Sequence, residues 1–110
     1  MDPLTQEQIR DQIKASKILI FMKGTPEMPM CGFSNATVRT FDSLGFPYDA
    51  VNVLEDPAIR QGIKDFTNWP TIPQVFINGE FIGGCDIVLE MNARGELKPM
   101  VEAAFAGVTA

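Results

Sequence analysis

The 110-residue sequence contains no histidine, two cysteines, one tryptophan and one tyrosine. The missing histidine excludes a Ser-His-Asp triad, a Cys-His nucleophile pair, a His-x-x-x-His zinc site and a histidine proton shuttle. Any catalysis must therefore use another group as its base. Two cysteines are also too few for the disulfide framework of a small secreted domain, so we expect a reducing compartment.

Long apolar runs and a surplus of basic residues are also missing. No segment approaches the roughly eighteen uninterrupted apolar residues of a membrane helix, so we expect no membrane association. Nine Lys and Arg stand against fourteen Asp and Glu, which gives a formal charge of -5. A nucleic-acid-binding patch would have to be local, and none is visible in the sequence. Because a secretory or transit pattern is also absent, we expect a cytoplasmic protein; a mature organellar form would have the same sequence.

The composition is that of one soluble globular domain. Apolar residues make up 45% of the chain and charged residues 21%, which separates it from disordered chains. The length suits a single core, so we predict one domain over residues 1–110.

The first half of the chain predicts a strand-helix-strand unit behind an initial helix. Thr5-Gln6-Glu7-Gln8 fits a capping box that opens a helix to about Ser16, with Leu4 stapled against Ile9. The apolar run 18–22 predicts a central strand that is buried on both faces. A second helix is expected from about Cys31 to a stop at Gly45, with Phe33 on its inner face, followed by a strand over 48–53.

The second half predicts a helix, a hairpin and two further helices. Asp56-Pro57 has the pattern of a helix start, and this third helix is expected to end near Asn68. Asn78-Gly79 between 74–77 and 80–83 favours a type I′ hairpin. A helix from about Asp86 is expected to break at Gly95 and to resume as far as Phe105. This order predicts an α/β protein with a mixed sheet, helices on both faces and a thioredoxin-like fold.

Cys31 lies beyond the carboxyl end of the first predicted strand and at the start of a helix, where this architecture concentrates chemistry. The unpaired N–H groups and the dipole at that helix end favour an anion, so its thiol should ionise more readily than free cysteine. A thiolate is both a nucleophile and a metal ligand. The alternative is an inert cysteine, but the neighbouring glycine, prolines and Lys23 favour a functional role.

Four motifs then identify a family resemblance. They are Lys23, the tetrapeptide Cys31-Gly32-Phe33-Ser34 eight residues later, the segment Trp69-Pro70-Thr71-Ile72-Pro73, and Gly83-Gly84-Cys85-Asp86. In this order and spacing the chain resembles a monothiol glutaredoxin of the Cys-Gly-Phe-Ser class over nearly its whole length. The resemblance implies the glutaredoxin form of the thioredoxin-like fold, a four-stranded mixed sheet flanked by helices.

The resemblance also implies a glutathione site. Lys23 and Arg60 are expected to hold the glycine carboxylate, and Lys64 ranks below Arg60 as a further cation. Pro73 is expected to be cis, so that the backbone of Ile72 can pair with the extended tripeptide. Trp69 is interpreted as a packing residue at the border of the cleft. The complete set of expected contacts is Lys23, Arg60, Thr71, Ile72, Pro73, Gly84, Cys85 and Asp86.

The last two of these residues are expected to bind the other end of glutathione. The N–H groups of Cys85 and Asp86 open a helix, where they can bind the γ-glutamyl carboxylate. The Asp86 side chain can receive the ammonium group or simply cap the helix. Gly83 and Gly84 would let the backbone come close to the ligand.

Ser34 occupies the position of the second cysteine in Cys-x-x-Cys proteins, so no disulfide can form within the motif. Two functions from different classes remain. A 2Fe-2S cluster requires four thiolates, and two Cys31 with two glutathiones would supply them in a homodimer. The alternative is a monothiol oxidoreductase in which Cys31 attacks a glutathione mixed disulfide. A domain that only binds partners is a third possibility.

The resemblance favours the cluster carrier, because proteins of this class are typically poor general reductases that are active in cluster assembly and transfer. It also implies a BolA-type protein and apo iron-sulfur proteins as partners. Cys31 is then both the redox-active residue and the metal ligand. Cys85 is interpreted as a packing residue rather than a resolving thiol.

Overall fold

The computed structural model describes residues 2–107. Four strands form one sheet in the order β2-β1-β3-β4, in which β1 is parallel to β2 and antiparallel to β3. β3 and β4 pair as an antiparallel hairpin. The elements are α1 (Pro3–Ala15), β1 (Ile18–Met22), α2 (Gly32–Leu44), β2 (Asp49–Asn52), α3 (Pro57–Thr67), β3 (Gln74–Ile77), β4 (Glu80–Gly83), α4 (Cys85–Ala93) and α5 (Leu97–Phe105).

β1 is buried on both faces, as its apolar run predicts. Ile18, Ile20 and Met22 point into one core that they share with α2, α4 and α5. Leu19 and Phe21 point into a second core on the opposite face, against α1 and α3. The predicted mixed sheet with helices on both faces is therefore confirmed, and β1 ends at the residue before Lys23.

Two predicted backbone conformations are confirmed. Asn78 and Gly79 have φ of 51° and 83°, the positive pair that a type I′ turn requires. They join Ile77 directly to Glu80 in the ladder. The peptide bond between Ile72 and Pro73 is cis. Both features lie on the half of the sheet that carries β3 and β4.

The predicted start of the first helix is wrong. Asp2, not Thr5, is the N-cap, because Pro3 follows it at the first helical position. The Asp2 carboxylate accepts hydrogen bonds from the N–H of Leu4 at 3.4 Å and from the hydroxyl of Thr5 at 3.1 Å. Leu4 is exposed, so the predicted staple to Ile9 is absent.

Phe33 is the second correction, because its side chain is 63% exposed and not on the inner face of α2. The buried face of α2 begins at Ser34 and continues through Thr37, Val38 and Phe41. These positions follow the helical period, which leaves Phe33 one residue outside the stripe. α4 begins at Cys85, one residue before the predicted start. Within residues 2–107, no helix is long and apolar enough to cross a membrane.

Candidate functional site

A cleft of about 440 Å³ lies where three segments meet at one end of the sheet. One wall is the end of β1 with the start of α2, a second is the loop before β3, and the third is the start of α4. Cys31 lines this cleft. The expected glutathione contacts that also line it are Lys23, Thr71, Ile72, Pro73, Gly84, Cys85 and Asp86.

Arg60 is the expected contact that is not among the residues lining the cleft. Lys64, one helical turn further along α3, lines it instead. Both cations lie on the same helix, and the sequence alone did not show which of them the helix turns towards the cleft. The cleft therefore contains Lys23 and Lys64, and the role of Arg60 stays a prediction.

Cys31 is the N-cap of α2, with an extended backbone, and its side chain is half-buried. The N–H of Ser34 is the main cause that lowers the pKa of Cys31. Partial burial opposes this shift, whereas the N–H of Phe33, the charge of Lys23 and the Ser34 hydroxyl add to it. The start of α2 therefore lowers the pKa of the thiol, as predicted. The charge of Lys23 contributes less to this shift than the backbone N–H groups do.

Ser34 has a structural role that its sequence position did not reveal. Its side chain is fully buried, and its Oγ accepts a hydrogen bond from the N–H of Lys23 at 3.1 Å. The bond joins the end of β1 to the first turn of α2. Ser34 thus fixes the distance between the backbone of Lys23 and the helix that presents Cys31.

Gln74 is a second residue that sequence reasoning missed. Its buried Nε2 donates to the carbonyl oxygens of Trp69 at 3.0 Å and of Thr71 at 3.1 Å. Its Oε1 accepts a hydrogen bond from the hydroxyl of Thr67 at 2.8 Å. A buried amide that uses both ends in this way holds the loop before the cis proline in one conformation. The only signal in the sequence was a polar residue at the start of a buried strand.

Gly84 lies in close contact with the loop that precedes β3. A Cβ at this position would lie 3.2 Å from the carbonyl oxygen of Pro73 and 3.3 Å from Nε1 of Trp69. Trp69 also packs edge-on against Phe81, with ring centroids 5.7 Å apart, which agrees with its interpretation as a packing residue. The close approach of α4 to the proline loop therefore brings two walls of the cleft together.

Cys85 and Asp86 form the first turn of α4, and Gly84 is its N-cap without any side-chain capping bond. The Asp86 side chain therefore does not cap this helix, which removes one of its two expected roles. Asp86 is exposed, whereas Cys85 is 7% exposed. The helix start offers backbone N–H groups to an anion in the same cleft that Lys23 lines.

Three apolar side chains near the thiol in the sequence are exposed, and one of them, Phe33, lines the cleft. Met28, Met30 and Phe33 are large apolar side chains that are mostly exposed, and all lie within three residues of Cys31. Exposed apolar groups that cluster around a reactive group are typical of a surface that contacts another molecule.

The sequence matches the glutaredoxin family model over residues 18–82. A monothiol glutaredoxin of Synechocystis, described as ycf64-like, is 52% identical over 96% of this chain and 99% of its own length. The chain belongs to the monothiol glutaredoxins. A mitochondrial glutaredoxin-related protein 5 of Danio rerio is 56% identical over 84% of this chain, and the match spans 60% of that longer relative.

Solved structures of glutaredoxins have the same fold. The solution structure of reduced poplar apo GrxS14 is 43% identical, covers 93% of this chain and 94% of its own, and superposes with a TM-score of 0.81. The crystal structure of a buckwheat glutaredoxin-glutathione complex is 28% identical, covers 94% of this chain and 92% of its own, and has a TM-score of 0.84. The predicted glutaredoxin fold is therefore confirmed.

Proposed function

We propose that this monothiol glutaredoxin binds glutathione in the cleft and uses it to carry a 2Fe-2S cluster between two copies of the chain. The buckwheat glutaredoxin complex supports glutathione as the ligand. The lining of the cleft has the complementary chemistry for this dianionic peptide. Lys23 and Lys64 offer cations, and the backbone N–H groups that begin α4 have no side-chain cap and are available to a carboxylate.

The observation that carries the proposal is the number of accessible thiols in one subunit. The chain has two cysteines, of which Cys31 is half-buried and Cys85 is almost completely buried. A 2Fe-2S cluster held by thiolates needs four of them. Two Cys31 and two glutathione thiolates complete that number. Cluster binding, glutathione binding and dimer formation then become one event.

The ligand chemistry at Cys31 fits this cargo. The lowered pKa of Cys31 raises the fraction of thiolate, which is the form that binds iron. The exposed side chains of Met28, Met30 and Phe33 offer an apolar surface for the second subunit. The same surface would receive an apo iron-sulfur protein or a BolA-type partner once the dimer opens.

Reconstitution with ferric iron, sulfide and glutathione tests the proposal. We expect the visible absorption of a 2Fe-2S centre only when glutathione is present, because the Cys31 thiolates of two chains supply only two of the four ligands. Omitting glutathione and replacing it with a thiol that lacks both carboxylates are the controls. A stable chromophore in the absence of glutathione would refute the ligand assignment.

The lowered pKa of Cys31 also favours a second function, a weak glutathione-dependent oxidoreductase. The Cys31 thiolate would attack a glutathione mixed disulfide, take the glutathione as a new disulfide and release the substrate thiolate. A second glutathione thiolate would then attack that disulfide, free Cys31 and leave as oxidised glutathione. Turnover of a glutathionylated peptide measures this activity.

The location of the protein in the cytoplasm stays a prediction.

A further inference from the structure

The segment between β1 and Cys31 forms a small hairpin. Thr25 and Met28 exchange backbone hydrogen bonds at 3.0 and 3.2 Å, and the N–H of Met30 donates to the carbonyl of Lys23 at 2.9 Å. Pro26 lies at the tip of this hairpin, which we call the thiol hairpin (residues 23–30). Since the hairpin carries Lys23 at one end and joins Cys31 at the other, its position determines the shape of one wall of the cleft.

Arg39, on the exposed side of α2, is hydrogen-bonded to this tip. Its Nη2 donates to the carbonyl oxygen of Pro26, and its Nε donates to Oδ1 of Asn35 at 3.2 Å. The N–H of Asn35 in turn donates to the carbonyl of Cys31 at 2.9 Å, so Asn35 belongs to the turn that presents the thiol. One guanidinium therefore connects the tip of the thiol hairpin to the first turn of α2.

Asp42 and Tyr48 hold the guanidinium in this orientation. Nη1 of Arg39 lies 2.8 Å from Oδ2 of Asp42, and the Tyr48 hydroxyl donates to Oδ1 of the same carboxylate at 2.7 Å. Burial and the neighbouring Asp42 raise the pKa of Tyr48, so its hydroxyl stays protonated and continues to donate. Three partners at fixed directions use the planar fork of arginine in a way that a lysine ammonium cannot reproduce.

We propose that Arg39 is a positioning residue, which fixes the thiol hairpin against the first turn of α2 and thereby sets the shape of the ligand cleft. The proposal rests on the proposed function only in taking glutathione as the ligand. The side chains of Arg39 and Asp42 are 53% and 42% exposed, so their ion pair contributes little to the free energy of unfolding. The expected effect of Arg39 is therefore on the position of the hairpin rather than on global stability.

Two substitutions separate geometry from charge. Arg39→Gln removes the charge and the fork, whereas Arg39→Lys keeps the charge and removes the fork. Arg94→Gln is the matched control, because Arg94 makes a similar exposed ion pair with Glu90 on α4 at 2.7 Å. For each variant, NMR measures amide hydrogen exchange at Met28 and Met30 and the affinity for reduced glutathione, and thermal unfolding gives Tm.

We expect both Arg39 variants to exchange about threefold faster at Met28 and Met30, the factor that corresponds to losing about 0.7 kcal/mol from an exposed charged contact. Glutathione affinity should fall by up to about threefold, and Tm should fall by no more than about 5 °C, because the native state loses only this exposed contact. Arg94→Gln should change none of these quantities.

Three results would overturn the proposal. They are unchanged amide exchange in both Arg39 variants, full recovery of exchange and affinity in Arg39→Lys, or a fall in Tm well beyond about 5 °C, which would show general loss of the fold. A wild-type protein that fails to bind glutathione would instead refute the proposed function. The exchange rates at Met28 and Met30 would still decide the role of Arg39 in that case.

Discussion

The two cysteines line the same cleft from the first turns of two helices, and they differ in their surroundings. Cys31 is the half-buried N-cap of α2, and the N–H of Ser34 lowers its pKa. Cys85 is the first residue of α4 and is 7% exposed. A helix start is thus common to both thiols. Because both thiols line the cleft at a helix start, the feature that distinguishes them is burial, since Cys31 is partly exposed and Cys85 is almost completely buried.

The largest effect should come from exchanging each thiol in turn. Cys31→Ser should abolish cluster reconstitution, since a serine hydroxyl stays protonated near neutral pH and iron in such clusters prefers soft thiolates. Cys85→Ala is the matched variant and should retain most of the cluster, because the backbone N–H of residue 85 remains in place. Visible absorption and bound iron per subunit measure both outcomes. If the Cys85→Ala protein stayed folded but lost its cluster, the result would indicate that Cys85 is a cluster ligand.

Ser34→Cys should change the behaviour of Cys31 and leave that of Cys85 unaffected, because it adds a third thiol one helical turn from Cys31. We expect a disulfide between Cys31 and the new thiol under mild oxidation, which would compete with iron for Cys31 and lower the cluster yield. The buried sulfur would also be a poor acceptor for the N–H of Lys23, which now bonds to Oγ at 3.1 Å. That loss should destabilise the reduced variant by about 1–3 kcal/mol.

Ser34→Ala separates these two effects, because it loses the same hydrogen bond without supplying a thiol. Mass spectrometry of the oxidised Ser34→Cys protein should find the bridge to Cys31, and denaturation should show similar destabilisation of both reduced variants. The absence of that bridge would show that residue 34 does not lie within reach of Cys31.

Lys23→Gln should produce a smaller change on the Cys31 side of the comparison. The positive charge of Lys23 favours the thiolate, so its removal should raise the pKa of Cys31 and also weaken glutathione binding. Lys64→Gln is the contrast, since it should weaken glutathione binding and leave the pH profile of Cys31 alkylation unchanged. If the wild type, Lys23→Gln and Lys64→Gln had the same alkylation profile, Lys23 would have no influence on the pKa of Cys31.

The smallest effect concerns stability as a function of pH. The pKa of Cys31 is lower in the folded chain than in the unfolded one, so its thiolate stabilises the fold. This contribution is complete above the unfolded pKa of about 8.5 and is lost as the pH falls through the folded pKa. The difference in Tm between wild type and Cys31→Ser should therefore be larger near pH 9 than near pH 6. A difference that does not change with pH would contradict the lowered pKa.

Local sequence signals account for most of the fold. Asn78-Gly79 specified its turn through backbone conformation, and the run 18–22 specified the central strand through apolarity. Such signals depend on a few neighbouring residues. The error at the first helix arose because the sequence contains two candidate N-caps, Asp2 and Thr5. Asp2 is the N-cap in the structure, since Pro3 follows it at the first helical position.

The parts of the site that sequence did not show depend on contacts between distant elements. Nothing near Gln74 indicated that its amide would bond to two carbonyls of the preceding loop. The choice between Arg60 and Lys64 depends on how α3 is rotated against the sheet. Asn35, Arg39 and Asp42 have a helical spacing that is visible in the sequence, but only the tertiary fold brings Pro26 and Tyr48 to the same cluster.

Simultaneous light scattering and visible absorption during chelation of iron test the central claim most directly. In excess glutathione, the reconstituted protein should elute as a dimer that carries the chromophore. As the chelator removes iron, absorbance and dimer should disappear together and a colourless monomer should appear, because the cluster and its two glutathiones link the subunits. A dimer that persists after the cluster is gone, or a monomer that retains the chromophore, would contradict the account.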